Sequence, residues 1–370
     1  MKYIVKDIES YQRAIDVAWA LASKKGEKEL RIRLTGNTLT LTTLGGGAIQ
    51  HSSVEVIGDG DGMAWVDGAQ LDNVSSLLPT GRELTVSLGQ ALTYQVQGYS
   101  GQDIPLAATH PTIPDLGDRE QLFMGVDLSD LNSKDSKALA TLSLKDYAIV
   151  LHTQGSGAQT RIIIPTAYPC SHPFSTEVSA HILTFMRKMK AATIYYYPKG
   201  YMGLVDGNVE LLVPITPSPS SGGVVDMVDG LPTIYSIKVQ QQDLLSALNW
   251  TALSTPTAVQ LSYSDPNPYI ELRVADNSPV TTKGGKGTST KVAFTQDDDD
   301  TASIEDTVLV IQELCYAPTT LLAALSALPK GSITLTGKVY KASGTAPSLP
   351  LLLLTHQGVS TVNVLLNALA

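Results

Sequence analysis

Residues 320–337 read TLLAALSALPKGSITLTG, and residues 70–88 read QLDNVSSLLPTGRELTVSL. Each stretch carries an apolar stripe at helical spacing: Leu71, Val74 and Leu78 in the earlier, Leu321, Leu325 and Leu328 in the later. Each stripe meets a proline, Pro79 or Pro329, and then a glycine, Gly81 or Gly331. Proline cannot donate to the helical ladder, and glycine accepts the backbone angles of a reversal, so the helix ends there. Alternating β-type residues follow: Leu84, Val86 and Leu88 in one, Ile333 and Leu335 in the other. Both stretches are predicted to run helix, stop, strand.

A third copy lies between them. HILTFMRKMKAATIYYYP (181–198) sets Ile182, Phe185 and Met189 on one helical face, then enters the β-rich run Thr193 to Tyr197, without the proline. All three copies continue into a second strand, a turn and a third strand, which marks an internal repeat. The first half of each repeat is also legible. IESYQRAIDVAWALASKK (8–25) aligns Ile8, Tyr11, Ile15, Ala18 and Ala22, and the two alanines make one end of that stripe shallow, as close packing requires. LRIRLTGNTLTLTT (30–43) alternates on either side of Gly36-Asn37, a hairpin signal. A stretch rich in proline and polar residues at 107–120 and one rich in serine, glycine and proline at 218–233 divide the chain into expected domains 1–118, 119–231 and 232–370, the last carrying a polar insertion near 278–304.

Totals restrict the class. The chain has 370 residues, 43% of them hydrophobic, and no apolar run near the roughly 18 residues of a membrane span. The opening MKYIVKDIES has no apolar core followed by a small-residue cleavage site, so no secretion signal is expected. Two cysteines, Cys170 and Cys315, build no disulfide framework and suit a reducing cytoplasm. A net charge of −9 does not attract nucleic acid in bulk, so any such role rests on local basic clusters.

Motifs for chemistry fail on inspection. QDDDDTASIED (296–306) lacks the alternating ligands and closing glutamate of a calcium loop and reads as a solvated acidic segment. TTKGGKGTSTK (281–291) places Gly287 where a phosphate loop needs Ser or Thr. Cys170 and His172 in YPCSHPF (168–174) lack the further groups a nucleophile or metal requires. No catalytic residue, metal or cofactor is expected.

The basic residues are more telling. Arg13 and Lys24 lie off the apolar face of the first helix, with Lys25 and Lys28 beyond it; Lys134 and Lys137 lie near the second repeat's first helix, and Arg187, Lys188 and Lys190 at the end of its second. Any one of them reads as solvated charge. Together they place positive charge on the non-core side of helices, which suits phosphate contact without base reading.

A thrice-written helix–strands–helix–strands unit with helix-borne lysines resembles the bacterial sliding clamp, the β subunit of the replicative DNA polymerase III. The likeness is carried by residues 65–116, by MVDGLPTIY (227–235), by YAPTTLLAALSAL (316–328) and by the end STVNVLLNALA. It implies an α+β chain of three clamp domains whose homodimer closes a ring around double-stranded DNA. It also implies a non-catalytic processivity factor, held in the cytoplasm, that tethers polymerase and clamp loader through short peptides. The resemblance assigns the peptide pocket to Thr153, Gly155, Pro232, Ile237, Thr320, Val364, Leu365, Leu366, Ala368 and Leu369. It assigns the dimer seam to Ile104 and Leu106, opposite Val259 and Leu261. The family's His-Arg pair after the Thr-x-Gly turn is replaced here by Ser156 and Gly157, which implies an altered peptide preference. Two other readings stay open: a clamp-shaped decoy or assembly partner that does not encircle DNA, favoured by the low charge of the third repeat's helices, and a repetitive β-rich structural protein.

Overall fold

A computed structural model describes residues 1–22, 28–99, 101–108, 110–131, 139–154, 158–217, 228, 230–231, 233–252, 258–263, 269–275, 289–293, 295–296, 315–340 and 349–367. The described fold is α+β, with short helices packed on antiparallel sheets. No described helix is long and apolar enough to cross a membrane. The chain divides into two compact units: Met1–Ser129, Cys170–His172 and His181–Thr216 form one, and Asp130–Pro169, Pro173–Ala180 and Pro217–Ala370 the other.

The order of elements explains the repeats. In the first, strand Lys2–Val5 leads to helix α1 (Ile8–Ala22), strands Glu29–Thr35, Thr38–Gly45 and Ala48–Glu55, strand Gly62–Asp67, helix α2 (Gly68–Ser76), and strands Leu84–Leu88, Ala91–Val96 and Gln102–Pro105. The second runs from strand Glu120–Val126 through Leu139–Lys145, Ala148–Gln154, Ala158–Pro165 and Phe174–Val178 to helix α3 (Ala180–Met186), then Ala192–Tyr197, Tyr201–Asp206 and Val209–Pro214. Its expected first helix falls largely outside the described residues. The third holds strand Thr233–Gln240, helix α4 (Gln241–Ala252), Ala258–Tyr263, Tyr269–Ala275, Ser289–Ala293, Cys315–Tyr316, helix α5 (Pro318–Ala327), and Ser332–Tyr340, Leu349–Gln357 and Thr361–Asn367.

Each repeat supplies two half-sheets, and half-sheets of consecutive repeats fuse. In the first unit, Ala48–Glu55 pairs antiparallel with Val209–Pro214, with His51 opposite Glu210 and Ile49 opposite Leu212, giving one sheet of eight strands. In the second unit, Ala158–Pro165 pairs with Thr361–Asn367, with Thr160 opposite Val364 and Ala158 opposite Leu366, giving one sheet of nine. A five-stranded and a four-stranded sheet remain unfused and end on Gln102–Pro105 and Ser289–Ala293 respectively.

Local chemistry accounts for the helices. The predicted α1 stripe of Ile8, Tyr11, Ile15, Ala18 and Ala22 is buried, and its alanines bring the helix backbone against the sheet. Thr43 Oγ1 donates to the Ala18 carbonyl at 2.8 Å and Gln50 Nε2 to the Val17 carbonyl at 3.0 Å. A Cβ on Gly45 would sit 2.6 Å from the Leu21 carbonyl oxygen. Asp67 caps α2 by accepting from the Gln70 backbone N–H at 3.0 Å. Gln12 of α1 donates its Nε2 to the Ser75 carbonyl at the end of α2, at 2.6 Å. The third repeat uses the same device, where Gln241 Nε2 donates to the Leu325 carbonyl of α5 at 2.9 Å. In each case a side-chain amide adds a second donor to a carbonyl in the last turns of a helix that already accepts a backbone N–H, tying two helices of one repeat together. Beneath α1, Tyr3, Tyr11 and Tyr94 are fully buried and hydrogen-bond one another in a chain through Tyr11. Burial raises all three phenols well above their ordinary pKa.

The hairpin signal at Gly36-Asn37 is a tight turn between Glu29–Thr35 and Thr38–Gly45, with Gly36 at φ 58°. The matching turn of the second repeat puts Tyr147 at φ 60°, where a side chain is disfavoured.

Gly45→Ala is expected to destabilise the protein by about 1–3 kcal/mol, because the helix backbone cannot retreat without opening the core. Gly89→Ala, whose added Cβ meets open space, should leave the thermal unfolding midpoint unchanged; calorimetry of the two variants checks the contrast.

Candidate nucleic-acid interface and partner groove

The helix surfaces carry less positive charge than the sequence clusters imply. Alongside its buried stripe, α1 exposes Glu9, Arg13 and Asp16. Lys28 is exposed ahead of the strand that follows. Helix α3 buries Ile182, Leu183, Phe185 and Met186, and the turn after it leaves Arg187, Lys188 and Lys190 exposed. Lys188 Nζ lies 5.1 Å from the centre of the Phe185 ring, and the Lys190 backbone N–H donates to Asp206 at 2.8 Å. Lys24, Lys25, Lys134 and Lys137 lie outside the described residues. Helices α2, α4 and α5 contain no lysine or arginine. Described, exposed positive charge near helices therefore comprises Lys6 just before α1, Arg13, Lys28, Arg187, Lys188 and Lys190, and Lys330 just after α5.

Acidic groups offset part of it. Asp72 of α2 faces Asp16 of α1, and burial, followed by the Asp16 charge and a hydrogen bond to Asp16, raises the Asp72 pKa above the usual carboxylate range. Sequence reading missed this pair, because α1 and α2 meet only in the fold.

The expected peptide pocket resolves differently residue by residue. Val364 and Leu366 are fully buried on the sheet face that α5 covers, together with their neighbours Leu352 and Leu354. Ile237 is buried opposite Leu335. These three are core residues and offer no surface to a peptide, a correction that follows from the two-residue period of a strand. Leu365 faces the other way and joins Leu351, Leu353 and Val228 in an apolar cluster on the side away from the helices, with Leu231 partly buried against it. Lys338 Nζ donates to the Leu231 carbonyl at 3.1 Å, beside that cluster. Thr153 is half-buried opposite Thr160, and Thr320 is half-buried on the first turn of α5. Gly155, Pro232, Ala368 and Leu369 lie outside the described residues. Leu351, Leu353 and Val228 were missed because nothing local distinguishes the outward leucines of SLPLLLLT from the inward ones.

The expected seam also changes. Ile104 is 1% exposed within the core of the first unit, whereas Leu106 next to it is 38% exposed. Val259 and Leu261 are buried on Ala258–Tyr263, an interior strand whose two sides are already paired. Ile104, Val259 and Leu261 are buried core side chains, and of the four expected seam residues Leu106 alone remains a surface candidate. Cys170 is buried, while His172 stacks on Tyr196 with ring centres 4.9 Å apart and sits 3.2 Å from Glu120.

No protein-family model matches the sequence, and no curated protein matches it. Solved structures do match over the full length. A DNA polymerase sliding clamp from Bacillus subtilis superimposes with a TM-score of 0.76 at 12% identity, covering 100% of this chain and 99% of that one. The DNA polymerase III subunit beta from Pseudomonas aeruginosa gives 0.72 at 12% identity with both chains covered completely. The Helicobacter pylori beta clamp bound to a DNA ligase peptide gives 0.71, also at 12% identity and complete coverage. The fold is that of the bacterial beta clamps.

Asp72→Asn is expected to raise the thermal midpoint at neutral pH. A carboxyl whose folded pKa is raised opposes folding once ionised, so the penalty is full above its folded pKa, fades as pH falls through it, and is gone below the ordinary carboxylate value near ~4. Unfolding of both proteins across pH 3–8 should show a gain at neutral pH that vanishes in acid.

Proposed function

We propose that this chain, built on the beta-clamp fold, is a DNA sliding clamp: a processivity factor, without catalytic chemistry of its own, that encircles double-stranded DNA as a homodimeric ring. Its three clamp domains are 1–118, 119–231 and 232–370. The observation that carries this reading is the rule by which repeats join. The third strand of one repeat's first half-sheet pairs with the last strand of the next repeat's second half-sheet, at Ala48–Glu55 with Val209–Pro214 and again at Ala158–Pro165 with Thr361–Asn367. The same rule leaves one donor, Ser289–Ala293, and one acceptor, Gln102–Pro105. They are complementary edges, and a second copy can satisfy both. Two copies joined twice close a ring of six repeats, with Leu106 beside each seam.

Weak positive charge suits such a ring. Arg13, Lys28, Arg187, Lys188 and Lys190 contact phosphates without reading bases, and encirclement supplies the retention that tight binding would otherwise have to provide. Polymerase and clamp loader attach through short apolar peptides beside the half-buried Leu231, which lies over the cluster of Leu351, Leu353 and Leu365, itself buried in the single chain. The solved Helicobacter clamp with its ligase peptide is a precedent for peptide docking on this fold. No cofactor is needed, and the place of work is the cytoplasm, where bacterial DNA is copied.

One observation favours a second reading, a clamp-shaped protein that does not encircle DNA: α4 and α5 carry no basic residue. Retention on DNA separates the two. The clamp should stay on nicked circular DNA once loaded and leave when the circle is cut; equal retention on both forms sinks encirclement. Leu106→Glu should convert the dimer to a folded monomer, read by analytical ultracentrifugation, and abolish retention on circles.

Leu231→Glu should weaken binding of a polymerase-derived apolar peptide at least tenfold while leaving the dimer mass unchanged; an unaltered affinity removes the groove assignment.

A further inference from the structure

The eight-stranded sheet of the first unit has a charged face that the clamp reading leaves unused. Along Glu29–Thr35, Leu30, Ile32 and Leu34 enter the core under α1, so Arg31 and Arg33 stand on the opposite face. Strand register then aligns Trp65, Arg31, Thr42, His51 and Glu210 in a single row across five strands. An open cavity of about 490 Å³ lies over this row, walled by Arg31, Arg33, His51, Arg119 and Glu210.

The charges there do not balance. Arg119 uses the carboxylate, donating to Glu210 Oε1 at 2.9 Å and to the Tyr197 hydroxyl at 3.3 Å, with its guanidinium 4.0 Å over the Tyr195 ring. Arg31 is only partly satisfied. Its Nη2 donates to Thr42 Oγ1 at 3.3 Å, while its buried Nε has no acceptor. Arg33 is exposed and pairs with no described carboxylate. His51 adds no charge at neutral pH, because burial, together with the Arg31 charge, lowers its pKa against the opposing pull of Glu210. Two neighbouring guanidinium groups thus face a cavity without a counter-ion, on a protein of net charge −9.

We propose that this cavity binds an acidic segment of a partner protein, two of whose carboxylates pair with Arg31 and Arg33. Guanidinium forks match carboxylates through two parallel hydrogen bonds. Arg31 and Arg33 project from one strand face about 7 Å apart, which is the spacing of alternate residues in an extended peptide. The motif is therefore acidic residues at alternate positions. Phosphate fits less well, for two reasons. Phosphate sites gather converging backbone N–H groups, whereas here the wall is largely strand whose N–H groups serve the sheet ladder. Glu210 in the wall also repels a dianion more than a carboxylate.

The test uses the full chain and a fluorescent decapeptide with glutamate at alternate positions, read by anisotropy against its glutamine counterpart. The glutamate peptide should bind saturably and weaken with salt, and the glutamine peptide should not bind. Arg33→Glu should reduce affinity at least tenfold, and Arg82→Glu, the same charge change at an exposed arginine outside the cavity, by less than twofold. Arg33→Gln, which removes charge without reversing it, should give an intermediate loss and guards against a folding defect in the reversal. Equal loss from the Arg82 and Arg33 reversals would reduce the effect to bulk charge and overturn the proposal. Displacement by submillimolar inorganic phosphate would overturn the carboxylate assignment. Neither outcome touches the DNA reading, because no residue assigned to DNA or to the seam lines the cavity.

Discussion

Antiparallel backbone pairing between repeats is the constraint on which the rest depends. An edge strand presents a row of unpaired N–H and C=O groups, and a repeat of this kind has such an edge on each half-sheet. Joining Ala48–Glu55 to Val209–Pro214, and Ala158–Pro165 to Thr361–Asn367, satisfies those groups and turns separate modules into continuous sheets. That continuity is why the compact units cut through the second repeat instead of falling between repeats. It also fixes which side chains can meet at a junction, since each strand alternates between a face covered by helices and a face left outward.

The local grammar of the fold was legible in the sequence. Leu71 and Leu321 anchor helices that stop before Pro79 and Pro329, and the Ala18 and Ala22 stripe lies where a helix backbone touches the sheet. The partnerships between distant segments were not legible. Gln12 looks like any polar residue on a helix until the end of α2 is brought beside it. Val364, Leu365 and Leu366 form one apolar run, and only strand register separates the outward Leu365 from its two core neighbours. Arg31 and Arg33 alternate with the core residues of a hairpin strand, and Glu210 joins their row only through a pairing of long sequence separation.

Charge tells a similar story. Sequence clusters suggested a cationic helical layer, but in the fold Arg13 shares its helix with Glu9 and Asp16, and Asp72 faces Asp16 across the helix pair. Apart from the run at 187–190, the described cations near the helices stand singly. Under the proposed clamp function, a surface of this kind would attract phosphates weakly and without fixed register.

The turn at Gly358–Ser360, closed by the Gly358 N–H to the Ser360 carbonyl, has an evolutionary consequence. Adding or deleting one amino acid there would turn the last strand inside out, sending Leu365 inward and Val364 outward. Spelling in that hairpin can drift almost without limit while its count of letters stays frozen. Divergence in this lineage should therefore be recorded there as replacements, with gaps pushed to loops where parity carries no meaning.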